Sequence, residues 1–492
     1  MLQLWLPREN PPHARVPDGW LDDGMSAADD SGYDVVILGA GSGGYACALR
    51  AAELDLRVAL VEADRLGGTC LHRGCIPAKA LLHAAEVADA VRGGDRFGIH
   101  ATLDRIDQGE VLSYTDAVIG RLHKGLTGLI ASASIDVIQG RGRLLNSEDG
   151  PAVEVGDQLL TAPNIVLATG SSPRSLPGLK IDGERVLSSD HALRLTELPS
   201  SAIVLGGGVI GVEFASAWRS LGVEVTVIEA LPQLVPNEEP EISQALSRAF
   251  RKRKITAVTG SPMSSVEVGE DSVTVAVESG RSVTADVVLV AVGRGPNTAD
   301  LGLAEAGVEL NRDWVRTDDR LRTAVPGVFA VGDLVAGVQL AHRGFAHGIF
   351  VAEEIAAVRD GRTGPQLVQD RSIPKITYSD PEIASVGLGE ESAREEYGEV
   401  ETFSYDLGGN GRSQILKTQG LVKLIRAVDG PVVGVHLIGS RVGELIGEAQ
   451  LITNWEAHPI EVADLIHAHP TQGEALGEAH LALAGKPLHV HP

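Results

Sequence analysis

The chain is 492 residues long, 43% hydrophobic and 22% charged, with a formal net charge of −24. That length divides into about three domains, and the composition excludes wholesale disorder. The acidity argues against nucleic acid and anionic membrane as partners, no apolar run reaches the ~20 residues of a membrane span, and three cysteines cannot fill a four-thiolate zinc site, so no metal is expected.

Residues 1–32 are rich in Pro, Asp and Gly and carry no apolar stretch of the kind a signal peptide needs. They read as a disordered tail, with a start at Met25 an equally good account. From Tyr33 the chain runs YDVVILGAGSGGYACALRAAELDLRVALVEAD. A β-branched strand leads into G-x-G-x-x-G, an apolar-periodic helix, a second Val-rich strand and a terminal Glu62. In such a unit Gly39 makes the tight turn and Gly41 lets backbone N–H groups approach a pyrophosphate. Gly44 allows close helix–strand packing, and Glu62 accepts ribose hydroxyls. Cys47, among small apolar residues of the helix, reads as a packing residue.

The next segment is RLGGTCLHRGCIPAKALLHAAE, Arg65 to Glu86. Cys70 and Cys75 lie at the opening of a helix whose good formers begin after Pro77. Five residues apart in a regular helix is too far for an unstrained disulfide, and Gly68 and Gly74 let the backbone distort to close the gap. Strained disulfides are the labile, catalytic kind, and a helix N-terminus favours thiolate. As a structural staple the pair closes too small a loop to gain much. Its spacing, without further cysteines, does not suit zinc. The reading is a redox pair.

Three strand-then-glycine marks follow: NIVLATGSSP (Asn164 to Pro173), DVVLVAVGRGPN (Asp286 to Asn297) and GVFAVGDL (Gly327 to Leu334). They suit chain crossings into and out of an inserted domain, and Asp333 at its strand end is placed for a ribityl or ribose hydroxyl. Between the first two marks the opening unit repeats as AIVLGGGVIGVEFASAWRSLGVEVTVIEA. Gly39 to Glu62 and Gly206 to Glu229 are both steps of 23. Two units imply two nucleotides. After Glu229 comes Ala-Leu-Pro-Gln rather than the Arg or Lys that a 2′-phosphate needs, which favours NAD over NADP.

Near the C-terminus, DLIHAHPTQGEALGEAH spans Asp464 to His480. His469 precedes Pro470 in a turn leading into a helix at Thr471, and Glu474 in its first turn can orient the imidazole as a carboxylate orients a triad histidine. His467, two residues away, remains an alternative base on the residues alone. Arg outnumbers Lys 33 to 9, a bias of GC-rich genomes that suggests a bacterial, cytoplasmic protein.

GGTCLHRGCIPAK, the two nucleotide fingerprints and HAHPTQGEA together resemble the class I pyridine nucleotide–disulfide oxidoreductases, and within them the dihydrolipoyl dehydrogenase branch. The resemblance runs from about Tyr33 to the C-terminal helix. It implies an α/β fold of two Rossmann-like domains, for FAD and NAD, plus an α+β C-terminal dimerisation domain. The implied boundaries are 33–176 with 298–367 for the FAD-binding and central region, 177–297 for NAD, and 368–492 for the interface. FAD is implied at Gly39, Gly41, Gly44, Glu62, Lys79, Gly142, Thr169, Gly170, Asp333 and Ala341, with Gly68 and Thr69 also assigned to cofactor binding. NAD is implied at Gly206, Gly208, Gly211 and Glu229, with Gly293 nearby. Lys79 and Glu213 match the charged pair beside the two redox rings.

By the same resemblance Cys70 is the interchange thiol and Cys75 the thiol facing the flavin. His469 is the base, its bond to Pro470 cis, and Glu474 its orienting carboxylate. The implied assembly is a homodimer in which this dyad comes from the other subunit. The implied partners are lipoyl domains of 2-oxo-acid dehydrogenase complexes or the glycine-cleavage carrier protein. Three residues depart from the pattern: His72 replaces a common Asn, Ala78 a Ser or Thr, and His347 a frequent Glu.

Overall fold

The computed structural model describes residues 32–147 and 150–490. Apart from Gly32, the expected N-terminal tail lies outside them. The architecture is α/β, with two five-stranded parallel sheets and a five-stranded antiparallel sheet near the C-terminus.

The first sheet runs in the order Val328–Ala330, Asn164–Leu167, Val35–Leu38, Val58–Glu62, Asp136–Gln139, every pair parallel. Its central strands are continuous apolar runs because both faces are covered, one by the helix Ser42–Glu53 and the other by the antiparallel strands Gly142–Ser147, Gly150–Val155 and Gln158–Thr161; Val35, Val36 and Ile37 are fully buried. The second sheet orders Thr256–Val258, Glu224–Ile228, Ser201–Leu205, Val287–Val290 and Val186–Leu187, again all parallel.

The two units superimpose in their bonding. The Gly39 N–H donates to Val61 O and the Gly206 N–H to Ile228 O, each at 2.8 Å. Both glycines take the left-handed conformation, φ 104° and 105°, that a side chain would strain. A Cβ on Gly44 would overlap the Gly39 carbonyl oxygen, and one on Gly211 that of Gly206. Helix and turn can pack this closely only with glycine there. Cys47 is fully buried in the first fingerprint helix, Ser42–Glu53, as a packing residue should be, and burial pushes its thiol up to about 12.

The chain leaves the first sheet through Ser171–Pro173 and returns through Arg294–Pro296, and these crossings pair antiparallel. The C-terminal sheet orders Lys375–Thr377, Glu382–Gly387, Val432–Gly439, Leu421–Ala427 and Val400–Asp406. Helices Ile446–Asn454 and Glu474–Leu483 share its apolar core through Ala449, Ile452, Ala475 and Ala479. Among the described residues no helix is long and apolar enough to cross a membrane. No group of three or more His, Cys, Asp or Glu among them is placed to hold a metal ion.

Candidate redox-active site

In the first cradle Gly41 caps the helix Ser42–Glu53, and a Cβ there would meet nothing within 4 Å. Open space thus fronts the free N–H groups of a helix N-terminus, which suits a pyrophosphate. At the end of the neighbouring strand Glu62 accepts the N–H of Ala40 at Oε2 (2.7 Å) and of Asp64 at Oε1 (2.8 Å). Burial raises this carboxyl above its ordinary range, opposed by the backbone N–H groups of Ala40 and Ala63. The second cradle repeats the first: Gly208 caps Val209–Ser220 in open space, and Glu229 accepts the N–H of Gly207 (2.6 Å) and Leu231 (2.8 Å). Each carboxylate oxygen keeps lone-pair capacity for a ribose hydroxyl. The residues therefore fit two dinucleotides.

The cysteines sit where a short helix, Gly68–His72, meets a long one, Cys75–Arg92. The helix does not wait for Pro77: it opens at Cys75, because Pro77 falls within the first four residues, whose N–H groups have no intrahelical partner anyway. Cys70 belongs to the preceding turn. Gly74 breaks between them at φ −140°, ψ −113°, and the chain re-enters helix with the Ala78 N–H on Gly74 O at 3.0 Å. Both cysteines are free thiols, hydrogen-bonded to one another. The bond accepted from Cys70 draws Cys75 down to about 7 against burial, and the Lys79 ammonium adds to it. Cys70, the donor of that bond, is pushed far above the ordinary thiol range. Of the two, Cys75 is the more acidic.

One turn on from Cys75, Lys79 reaches across to the second fingerprint helix. Its Nζ donates to Glu213 Oε2 at 2.8 Å and Oε1 at 3.0 Å, and it lies 4.7 Å from the Tyr378 ring centroid. The Tyr378 backbone N–H donates to Glu213 Oε1 at 2.9 Å. Burial would lower Lys79, but Glu213 overrides it and the ammonium is held above its usual value.

The crossing ribbon adds a polar chain. Ser171 Oγ donates to Asp333 Oδ2 (2.6 Å) and accepts from Arg294 Nε (2.8 Å). Thr169 Oγ donates to Asn297 O at 2.7 Å, and the Asn297 N–H donates to Gly170 O at 2.8 Å. Gly68 packs its Cα face against Gly41, beside Thr69. Gly142 is buried against Leu38, Gly293 opens to space, and Ala341 is the first residue of the helix Ala341–Arg359. Among the departing residues, Ala78 packs against the core beneath the second sheet, and His72 Nε2 pairs with Leu66 O at 2.9 Å. Tyr378, Ser171, Arg294 and Asn297 were not singled out from the sequence, although the last three lie in motifs already quoted.

His469 Nδ1 and Glu474 Oε1 are 2.7 Å apart, and the His469–Pro470 peptide is cis. The helix starts at Glu474, three residues later than expected, because the Glu474 carboxylate itself takes the Thr471 N–H at 2.8 Å. Despite a burial penalty, that N–H and the His469 ring hold Glu474 below its ordinary range. The His467 side chain, only 15% exposed, is turned inward onto Glu448 at 2.8 Å, whereas that of His469 is 77% exposed. The two histidines that the residues alone left open thus differ in exposure and in partner. Among the described residues no hydrogen bond or ion pair joins the dyad to Cys70 or Cys75 of its own chain.

A model described as pyridine nucleotide-disulphide oxidoreductase matches residues 33–348, and that family's dimerisation domain matches 373–480. A dihydrolipoyl dehydrogenase of Bacillus subtilis is 39% identical, over 93% of this chain and 99% of that protein. A mitochondrial dihydrolipoyl dehydrogenase of Arabidopsis thaliana is 36% identical, over 96% and 94%. The crystal structure of LpdA from Mycobacterium tuberculosis aligns with TM-score 0.84 at 27% identity, covering 91% of this chain and 99% of that one.

Proposed function

This chain belongs to the pyridine nucleotide-disulphide oxidoreductase family, and on that premise we propose how its residues carry the activity of a dihydrolipoyl dehydrogenase. The enzyme oxidises protein-bound dihydrolipoamide to lipoamide and passes the electrons through the Cys70/Cys75 pair and a flavin to a pyridine nucleotide. The observation that carries the assignment of residues is the Lys79–Glu213 pair, which ties the cysteine helix to the second nucleotide cradle.

The first cradle holds FAD through Gly39, Gly41, Gly44, Glu62, Gly68, Thr69, Lys79, Gly142, Thr169, Gly170, Asp333 and Ala341. The second holds NAD through Gly206, Gly208, Gly211, Glu213, Glu229 and Gly293, and Glu229 would repel a 2′-phosphate. We assign 33–176 with 298–367 to the FAD and central region, 177–297 to NAD, and 368–492 to the interface. The dimerisation-domain match supports a homodimer, and the exposed dyad suits a base lent to the site of a second copy. Lipoyl domains of 2-oxo-acid dehydrogenase complexes, or the glycine-cleavage carrier protein, are the partners this activity calls for.

His469, steadied by Glu474, takes a proton from one dihydrolipoamide thiol. The resulting thiolate attacks Cys70 Sγ of the oxidised pair, forming a mixed disulfide and expelling Cys75 as thiolate. The second substrate thiol then displaces Cys70, which leaves carrying that thiol's proton, so that lipoamide is released and the pair is left reduced, Cys70 as thiol and Cys75 as thiolate. Lys79 and the helix N-terminus stabilise the Cys75 charge. The bound flavin and NAD supply the onward transfer of the electron pair as hydride.

The test is NADH-dependent lipoamide reduction, with NADPH and glutathione disulfide as controls. Turnover with NADH and lipoamide that is abolished in Cys70→Ser supports the reading. Preference for NADPH, or for glutathione disulfide, would overturn the second-cradle or the substrate assignment respectively.

A further inference from the structure

The helix Ala341–Arg359 carries two buried polar side chains that the reaction above does not use: Arg343, 4% exposed, and His347, 2% exposed. They stand one turn apart and point at one place. Arg343 Nη1 donates to the carbonyls of Gly332 (3.3 Å) and Val335 (3.2 Å), Nη2 to that of Ala336 (2.7 Å), and Nε to Asp370 Oδ1 (2.7 Å). His347 Nδ1 accepts the N–H of Gly332 at 3.3 Å, in buried surroundings. Gly332, at φ 67°, opens the single turn Gly332–Leu334 in which Asp333 sits.

We propose that Arg343 and His347 are positioning residues: they clamp the Gly332 residue by its C=O and its N–H, and so aim Asp333 at the flavin. This rests on the assignment of Asp333 to the FAD cradle. Accepting an N–H requires a lone pair on Nδ1, so His347 works as the neutral ring. Its surroundings enforce that. Burial first, then the Arg343 charge, push it down to about 4, with Asp370 opposing. Those two are the charged groups facing it, Arg343 from its own helix and Asp370 from the turn Asp370–Ser372 packed against it. A protonated ring would lose the Gly332 bond and set a second cation beside Arg343. His347 thus does more than fill the place of a frequent Glu.

The test is FAD binding by flavin-stripped protein, read by flavin fluorescence between pH 7.5 and 3.5, a range that crosses the His347 value near 4, with NAD binding at the second cradle as the check on folding. His347→Leu removes the acceptor and should weaken FAD about tenfold while leaving NAD binding unchanged. His347→Gln offers an acceptor that cannot be protonated; it should bind FAD within about twofold of wild type at pH 7.5 and escape wild type's weakening at low pH. Wild-type affinity in His347→Leu, or the same acid limb in His347→Gln as in wild type, would overturn the clamp. If His347→Leu fails to fold, the His347→Gln pH profile still decides. Wild-type protein that binds no FAD would instead refute the cradle assignment, and the clamp with it.

Discussion

Glu62 and Glu229 occupy one position in two sheets: each accepts the N–H of the residue after the first fingerprint glycine, at 2.7 and 2.6 Å, and a second N–H two residues beyond itself at 2.8 Å. The carboxylate is thus built into its turn before any ribose arrives, and each cradle is addressable separately. Glu229→Leu should raise KM for NADH about tenfold or more while leaving flavin content unchanged. Steady-state kinetics beside the flavin-to-protein absorbance ratio measures both.

Lys79 is the cation that helps draw the Cys75 thiol down. In Lys79→Met the Cys75 thiol should titrate about one unit or more above its present value near 7. The check is the pH dependence of iodoacetamide alkylation of the reduced protein, with the modified cysteine identified by mass spectrometry. Reactivity with an unshifted midpoint would mean that the Cys70 bond and the helix N-terminus suffice.

On the proposed mechanism the dyad acts only on the substrate side. His469→Gln should lower kcat with lipoamide by about 10²- to 10⁴-fold, with a smaller loss for Glu474→Gln. Anaerobic reduction of the enzyme by NADH should proceed as in wild type in both. Stopped-flow traces of the two half-reactions separate these outcomes, and an equal loss in both halves would contradict the assigned role.

Three buried histidines, His347, His436 and His480, are lowered by burial and weigh on the acid side of stability. Burial pushes both His347 and His480 down to about 4, against about 6.5 in an unfolded chain. Between those values the unfolded chain binds protons that the folded one refuses, so stability falls as pH drops from 6.5 toward 4. His467 works the other way. Its bond to Glu448 raises it, so its contribution is present below about 6.5 and lost as pH rises through the folded value. Urea midpoints at fixed protein concentration, compared at pH 7.5 and 5, should drop less in His347→Gln than in wild type, and more in His467→Gln.

Much of this site could be read in the sequence because its parts are local. Each cradle is a strand, a turn, a helix and a strand within some thirty residues, and Cys70 with Cys75, or His469 with Glu474, lie five apart. The parts that stayed hidden join distant segments. Tyr378 touches Lys79 and Glu213 from the C-terminal region, and the Arg294–Ser171–Asp333 chain exists only because two crossings pair. Helix onsets at Cys75 and Glu474 depend on local backbone detail that propensity does not show: Gly74 breaks the turn before one, and the Glu474 carboxylate satisfies Thr471 before the other. Between His467 and His469 the residues alone left the base open and the resemblance pointed to His469; the inward turn of His467 onto Glu448 is in keeping with that.

The most direct measurement is an anaerobic titration of the flavin-loaded protein with dihydrolipoamide, following the flavin absorbance and trapping thiols by alkylation. The account predicts that one equivalent renders Cys70 and Cys75 alkylatable while buried Cys47 stays unmodified, and that NAD then restores both the spectrum and the protected pair. A flavin that bleaches while Cys70 and Cys75 react identically before and after the substrate would contradict it, since the electrons would then have bypassed the pair.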